Sequence, residues 1–410
     1  MKPVDRSLDI VAIGLGQAGG NLAAEFARRG YRAVALNTGH TDLSALGAES
    51  ALAGLQRLYI GIDRYDGAGA NLDYGRDCVI SRADRIRRLV TQLTEGADLV
   101  VLAAGFGGGT GSAISELVQV LTPLELPIIT LATLPGEQES AIAKVNAVRA
   151  VSELMKAPAH TLIFVDNARL AEHHAHVALD EYFRRVNAII IEPLDALNRL
   201  NQRLGASPIR SLDGESLRTL LTSKGVLNYA ERQCSSLSVH DVSDWVTTSL
   251  ESGGVMPTGS AMSDINYLGF VVEASGKWLA NTSFTAFNQL SKQLKASASN
   301  AVMYLGIYRN DQIPSNEATL RLLASSPSLP KTIQAIVQAA QLEGGLLSEK
   351  LSRSIDLVDL GDIIDFDPVP QRSALARAAG ATRHRRATRA HPKQLAEARG
   401  VVAPTVGRAG

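Results

Sequence analysis

Residues 97–105, ADLVVLAAG, form an apolar run that breaks without a spacer into Phe106-Gly107-Gly108-Gly109-Thr110-Gly111-Ser112, and helical spacing begins near Ala113. A strand with no polar alternation is covered on both faces, which is the situation of a parallel sheet. The glycines, from Gly105 onward, allow a tight strand-to-helix turn and close backbone approach to a ligand. With the hydroxyls of Thr110 and Ser112, the run offers enough N–H donors to wrap a di- or triphosphate at a helix N-terminus. No Lys follows, so the loop is not a P-loop. The alternative is a flexible connection, and the position between a buried strand and a helix argues against it.

The same alternation recurs from residue 8 to about 205. LDIVAIG leads into a helix expected over Gln17–Arg29, and YRAVALN, LPIITLAT and HTLIFVD follow as short β-branched runs spaced by helical patterns. This predicts an α/β fold with a doubly covered parallel sheet. The first strand ends in a second glycine loop, Gly14-Leu15-Gly16-Gln17-Ala18-Gly19-Gly20-Asn21. Gly14, Gly16 and Gly19 also satisfy the dinucleotide fingerprint. A NAD protein would place an acid at the end of the second strand for the ribose hydroxyls; Asn37 stands there, which counts against NAD.

At 410 residues the chain exceeds one ordinary core. Residues 1–205 are expected to form one domain, closed by a long helix over 179–204 that Pro193 is placed to kink. A smaller α/β domain is expected over 206–367, after the turn-like GASP, with strands at YLGFVVEA, NAVMYLGIYRN and SRSIDLVDLGDIID and a helix in TSFTAFNQLSKQLKAS. Residues 368–410 form a basic tail, expected to be disordered, in which Arg372, Arg377, Arg383, Arg385, Arg386, Arg389, Lys393, Arg399 and Arg408 face the single acid Glu397. Such a tail suits an acidic partner, nucleic acid or a membrane surface, or serves only as a solvated spacer. Forty-one basic and 41 acidic residues balance over the whole chain, so any attraction to a polyanion is local. The two cysteines, Cys78 and Cys234, are too few for a disulfide framework or thiolate metal site. Without a signal-peptide pattern or a long apolar span, the expected location is the cytoplasm.

The GGGTGS loop and the preceding GxGQAGGN resemble the tubulin/FtsZ superfamily, especially its tubulin-like and archaeal CetZ-like members. Smaller matches follow in the family's order. Asn37-Thr38 with Asp42-Leu43 looks like the second loop. Gly67-Ala68-Gly69-Ala70-Asn71, with Gly75-Arg76, is similar to the third loop, which senses the γ-phosphate. Pro135 and Glu139 resemble the fifth loop, whose Glu holds the ribose, and Asp166-Asn167 the strand end whose Asn reads the base. Phe183 and Asn187, at i and i+4 on the long helix, share one face and suit an aromatic stacked on guanine and an amide bonding its edge. Taken alone, such a Phe reads as core and such an Asn as solvated surface.

The resemblance implies a GTP/GDP-binding protein whose subunits stack head to tail into a homopolymer, with a loop after the long helix completing the GTPase of the next subunit. In that loop, residues 211–217, Asp213 falls on the family's first acid, but Ser216 stands where the principal catalytic acid is expected, and Glu215 is displaced by one position. A hydroxyl orients an attacking water less well than a carboxylate, so slow or absent hydrolysis is the alternative reading, and a binder without self-assembly goes with it. Mg²⁺ would bridge the phosphates, with Gln17 and Asp63, Asp66 or Asp73 as candidate neighbours. Ala143 replaces the Arg of bacterial FtsZ's fifth loop, with Lys144 adjacent. The C-terminus lacks bacterial FtsZ's apolar-acidic peptide, which argues against a role as the main division-ring protein. His173, His174 and His176 with Glu172 could be a metal cluster, but adjacent His side chains diverge in regular structure, and a solvated surface is expected. A NAD-dependent oxidoreductase is the remaining rival, and it leaves the second glycine loop and the Phe183/Asn187 pair unexplained.

Overall fold

The first strand, β1 (Ile10–Leu15), is buried at every residue, and its side chains divide between two cores. Ile10 and Ala12 join Leu22 and Phe26 of the helix Gly16–Arg28 and Val186, Ile190 and Ile191 of the helix Leu179–Arg199. Val11, Ile13 and Leu15 face the other way, onto Val79, Ile86, Val90, Leu117 and Val151 of four further helices. This double cover is why the strand reads as continuously apolar. The computed structural model describes residues 5–47, 52, 54–62, 66–156, 161–202, 206–235, 239–251, 260–327 and 329–350.

The remaining strands are β2 (Arg32–Asn37), β3 (Leu55–Tyr59), β4 (Leu99–Gly105), β5 (Ile128–Leu134), β6 (Thr161–Asp166), β7 (Ala206–Arg210), β8 (Gly225–Cys234), β9 (Tyr267–Ala274), β10 (Val302–Asn310) and β11 (Ala318–Ser326). They form one 11-stranded sheet in the order β3-β2-β1-β4-β5-β6-β8-β11-β9-β10-β7. The half from β3 to β6 is parallel throughout. The other half is mixed: β8–β11, β11–β9 and β10–β7 run antiparallel, and β9–β10 parallel. The halves meet through a short ladder in which Thr161 pairs with Gly225 and Leu162 with Val226. One face of the mixed half packs Phe270, Val272, Leu320 and Leu322 under the helices Val239–Glu251 and Phe284–Ser297. The opposite face continues the core beneath Leu179–Arg199, through Val271, Tyr308, Leu323 and the helix Gly214–Leu221.

Two sequence expectations change. Ala206, Ser207 and Pro208, of the segment read as the turn GASP, lie in the edge strand β7, a position where proline is tolerated. Strands β3, β8 and β11 were not read from the sequence. The long helix runs from Leu179 to Arg199, short of residue 204, and Pro193 sits inside it without ending it. SRSIDLVDLGDIID, Asp63 and the basic tail lie outside the described residues.

Candidate functional site

The loops leaving the C-terminal ends of β1, β2, β4, β5 and β6 surround a cavity of about 430 Å³. This is where an open parallel sheet offers a ligand crevice, because helix N-termini converge there. The helix Gly16–Arg28 starts at this rim with no side-chain cap and no acid in its first turn. The short helix Gly109–Ser112 also starts uncapped. Both leave backbone donors open to a ligand. Among the described residues no Lys or Arg lines the cavity, and its acids are Asp42 and Glu139. An anion here is held by backbone N–H groups and helix dipoles rather than by side-chain cations.

Close packing of backbone on backbone builds the glycine loops. Gly16 has φ +74°, and a Cβ there would lie 3.0 Å from Gly111 N; a Cβ on Gly111 would lie 2.3 Å from Gly105 O. Gly108 is different, because a Cβ on it would meet nothing within 4 Å. Gly108 therefore lines open space that a ligand can fill. Four hydrogen bonds lock the loops. The Thr38 and Thr110 hydroxyls share a 2.7 Å hydrogen bond. Gly107 N–H donates to Ser112 Oγ at 3.0 Å. The amide of Asn146 donates to Ala70 O at 2.8 Å and to Gly107 O at 3.0 Å.

Of the residues singled out from sequence, Gly16, Gln17, Ala18, Gly69, Ala70, Gly105, Gly107, Gly108, Gly109, Thr110, Gly111, Glu139 and Asn167 line this cavity. A second cavity of about 270 Å³ is lined by Asn21, Phe183 and Asn187, together with Tyr182, Val186 and Ile190. Gln17, Ala18, Thr133 and Asn167 line both, so the two are parts of one cleft. Phe183 keeps 64% of its surface exposed at the mouth of this second part, with its ring edge-on to Tyr182 at 5.4 Å. A large apolar ring left this open is not core.

Asn71 and Ser112 do not line the cleft. Asn71 caps the helix Leu72–Ser81 by accepting from Tyr74 N–H, and Ser112 is buried behind its loop. Asp66 accepts from the backbone N–H groups of His40 and Thr41 and from the Thr41 hydroxyl. The hydroxyl and those two amides hold its carboxyl below the ordinary range. Asp73 pairs with Arg76 and Arg149. Neither acid lines the cleft, whereas Gln17 and Asp42 do. Among the described residues no group of three His, Cys, Asp or Glu is close enough to hold a metal. The side-chain oxygens of Gln17 and Asp42 are of the kind a hydrated Mg²⁺ takes through its waters. His174 and His176 stand with ring centroids 6.4 Å apart and form no such group.

Asp213, Glu215 and Ser216 lie elsewhere. Asp213 caps the helix Gly214–Leu221, its Oδ1 accepting from Ser216 N–H at 2.7 Å. Bonds from the Ser216 amide and hydroxyl hold its carboxyl below the ordinary range. Glu215 is exposed, 3.6 Å from Arg218. Gly214 abuts Ser7, just ahead of β1, and Asn201 Nδ2 binds both Ser7 Oγ and Leu212 O. The loop 211–217 thus sits at the N-terminal edge of the parallel strands. Residues 8–15 separate the Ser7 contact from Gly16, and the six of them in β1 alone span about 20 Å at 3.3 Å per residue. One chain does not bring Asp213 to its own cleft.

Sequence reading missed Asn146, Thr133 and Tyr182. A lone Asn, Thr or Tyr in a helix or buried strand carries no motif; the chance to find Asn146 lay only in its position on the helix that follows Glu139.

Residues 9–175 match the profile of the tubulin/FtsZ family GTPase domain. A tubulin-like protein CetZ from Pyrococcus abyssi is 25% identical over 341 residues, covering 81% of this chain and 89% of the relative. Among solved structures, CetZ2 from Haloferax volcanii, described as a GTPγS-bound protofilament, aligns with TM-score 0.66 and 20% identity over 83% of this chain and 100% of that one. A GTPγS-form protofilament of TubZ from Bacillus thuringiensis serovar israelensis aligns with TM-score 0.67 and 16% identity over 86% and 96%. The glycine loops, the split cleft and the mostly parallel sheet are all in place, and across residues 9–175 the chain carries the pattern of the tubulin/FtsZ family GTPase domain.

Proposed function

We propose that this chain binds GTP and GDP in the cleft, stacks head to tail into protofilaments, and completes hydrolysis at the subunit interface. The observation that carries this reading is polarity. The cleft opens at one edge of the parallel sheet, and the loop bearing Asp213 lies at the opposite edge, so two acting parts meet only between subunits. The phosphates are assigned to Gly107–Gly111 and Gly16, the ribose to Glu139, and the base to Asn167, Asn187 and the face of Phe183. Mg²⁺, when bound, would neutralise phosphate charge; Gln17 and Asp42 are the side chains placed to hold its waters. Residues 1–205 act as the nucleotide domain and 206–367 as the part that presents residues 211–217 to the neighbour. The basic tail, 368–410, is assigned to an acidic partner, nucleic acid or a membrane surface.

Ser216 favours a second reading, a nucleotide-dependent polymer with little turnover, because only one carboxylate of the expected pair is present. The test is phosphate release together with pelleting at rising protein concentration, with GTP and Mg²⁺, for wild type and Asp213→Asn. Release per subunit that climbs above a critical concentration and falls in the variant supports interface hydrolysis. Polymer without release selects the second reading. Bound GTP with neither polymer nor release at any concentration overturns both.

A further inference from the structure

The helix Ala141–Lys156 lays one polar edge along the third loop and the helix that follows it. Asn146, Arg149 and Glu153 recur at i, i+3 and i+7, a single helical face, and they meet Ala70, Asp73 and Arg76 in the same order. Arg76 also bonds Glu116 at 3.2 Å, tying in the helix after the glycine loop. At the head of this seam, Asn146 is 4% exposed and spends its amide on two carbonyls, Ala70 O and Gly107 O. Ala70 has φ +64°, a left-handed conformation that a residue with a side chain keeps only when its surroundings impose it. Gly67, Ala68, Gly69 and Ala70 line the phosphate part of the cleft and not the part around Phe183.

We propose that Asn146 is a positioning residue that holds loop 67–71 against the glycine loop, and that this bond makes the cleft prefer a nucleoside triphosphate over a diphosphate. The inference rests on the GTP/GDP reading of the cleft. Loop 67–71 lines the part of the cleft away from Phe183, so a nucleotide whose base lies beside Phe183 would bring its terminal phosphate to that loop. Without the Asn146 amide, Ala70 is free to leave its left-handed conformation, and the N–H groups of that loop turn away from the terminal phosphate.

The experiment compares GDP and GTPγS affinities, by calorimetry below any assembly concentration, for wild type, Asn146→Ala and Asn198→Ala. Asn198 is equally buried but binds Leu8 at the far edge of β1, and so controls for general loosening. The expected result is a GTPγS affinity about tenfold weaker in Asn146→Ala, the cost of two neutral hydrogen bonds, with GDP affinity within about twofold of wild type and an unchanged ratio in Asn198→Ala. An unchanged ratio in Asn146→Ala, or equal losses for both nucleotides, overturns the inference. Wild type that binds neither nucleotide overturns the reading of the cleft instead.

Discussion

Replacing Phe183 by Ala separates a base platform from a core residue. About a third of the side chain is covered in the free protein, since 64% is exposed. Complete burial of a Phe is worth up to about 3 kcal/mol, so the fold loses at most about 1 kcal/mol here. A base stacked on the open ring contributes about 1 to 3 kcal/mol by alanine substitution, which is about 5- to 150-fold in Kd. Phe183→Ala should therefore melt close to wild type while binding GDP at least about fivefold more weakly. Chemical unfolding and a titration with fluorescently labelled GDP measure the two quantities. A variant that loses about 3 kcal/mol of stability and binds GDP as wild type does would make Phe183 a packing residue and refute the reasoning.

The glycines of the long loop should divide by what surrounds them: Gly111→Ala meets Gly105 O at 2.3 Å and should fail to fold or melt far below wild type, whereas Gly108→Ala meets nothing within 4 Å and should fold normally but bind GDP poorly. In the mixed half of the sheet, Arg321 bonds Glu273 at 2.6 Å and Glu231 at 2.9 Å, and Asn310 bonds the other oxygen of Glu273. Arg321→Ala removes a cation from the buried Glu273 and should lower the unfolding free energy by about 3 to 5 kcal/mol in urea, while a loss below about 1 kcal/mol would show the cluster to be solvated. Asp213 titrates below its ordinary value of 3.8 when folded, so its capping stabilises the helix above about pH 4 and is lost as pH falls through the lowered folded value. Asp213→Ala should cost about 1 kcal/mol at pH 7 and progressively less below pH 4, and Asp213→Asn, an equally good cap, should melt like wild type at pH 7.

What could be read from the sequence follows from where information is local. The strands β1, β2, β4, β5 and β6 are legible because double burial forces apolar runs, and the loops after β1 and β4 because their backbone-on-backbone packing needs glycine. The mixed half was harder. GVLNYAERQC ends in an exposed stretch that includes Glu231, ATLRLLASS carries the buried Arg321, which its ion pairs with Glu231 and Glu273 make compatible with burial, and ASPIR looks like a turn until its neighbour β10 is present. The cleft was legible at its backbone loops and at the i, i+4 pair Phe183/Asn187. Asp66 and Asp73 looked available as metal neighbours because sequence does not reveal that one caps a helix and the other is held by two arginines. Asn146 was invisible, since its role depends on two carbonyls contributed by loops 76 and 39 residues away.

Ser216 does more than vacate the place of an acid. Its N–H and hydroxyl both bind the Asp213 carboxylate, so Asp213 is held as a helix cap, and in the proposed interface that competes with use as a water-orienting base. A carboxylate at position 216 would keep the backbone bond but place a second negative charge three residues along the same helix turn, a repulsion of about 0.5 kcal/mol. In the proposed interface, the added carboxylate would supply the neighbouring cleft with a second acid. Ser216→Asp should thus destabilise the free protein slightly and raise GTP turnover only in the assembled state. Turnover that stays flat across the assembly concentration in both Ser216→Asp and wild type would mean that loop 211–217 never meets the neighbouring cleft. A rise in Ser216→Asp alone would locate the missing catalytic power in this one side chain.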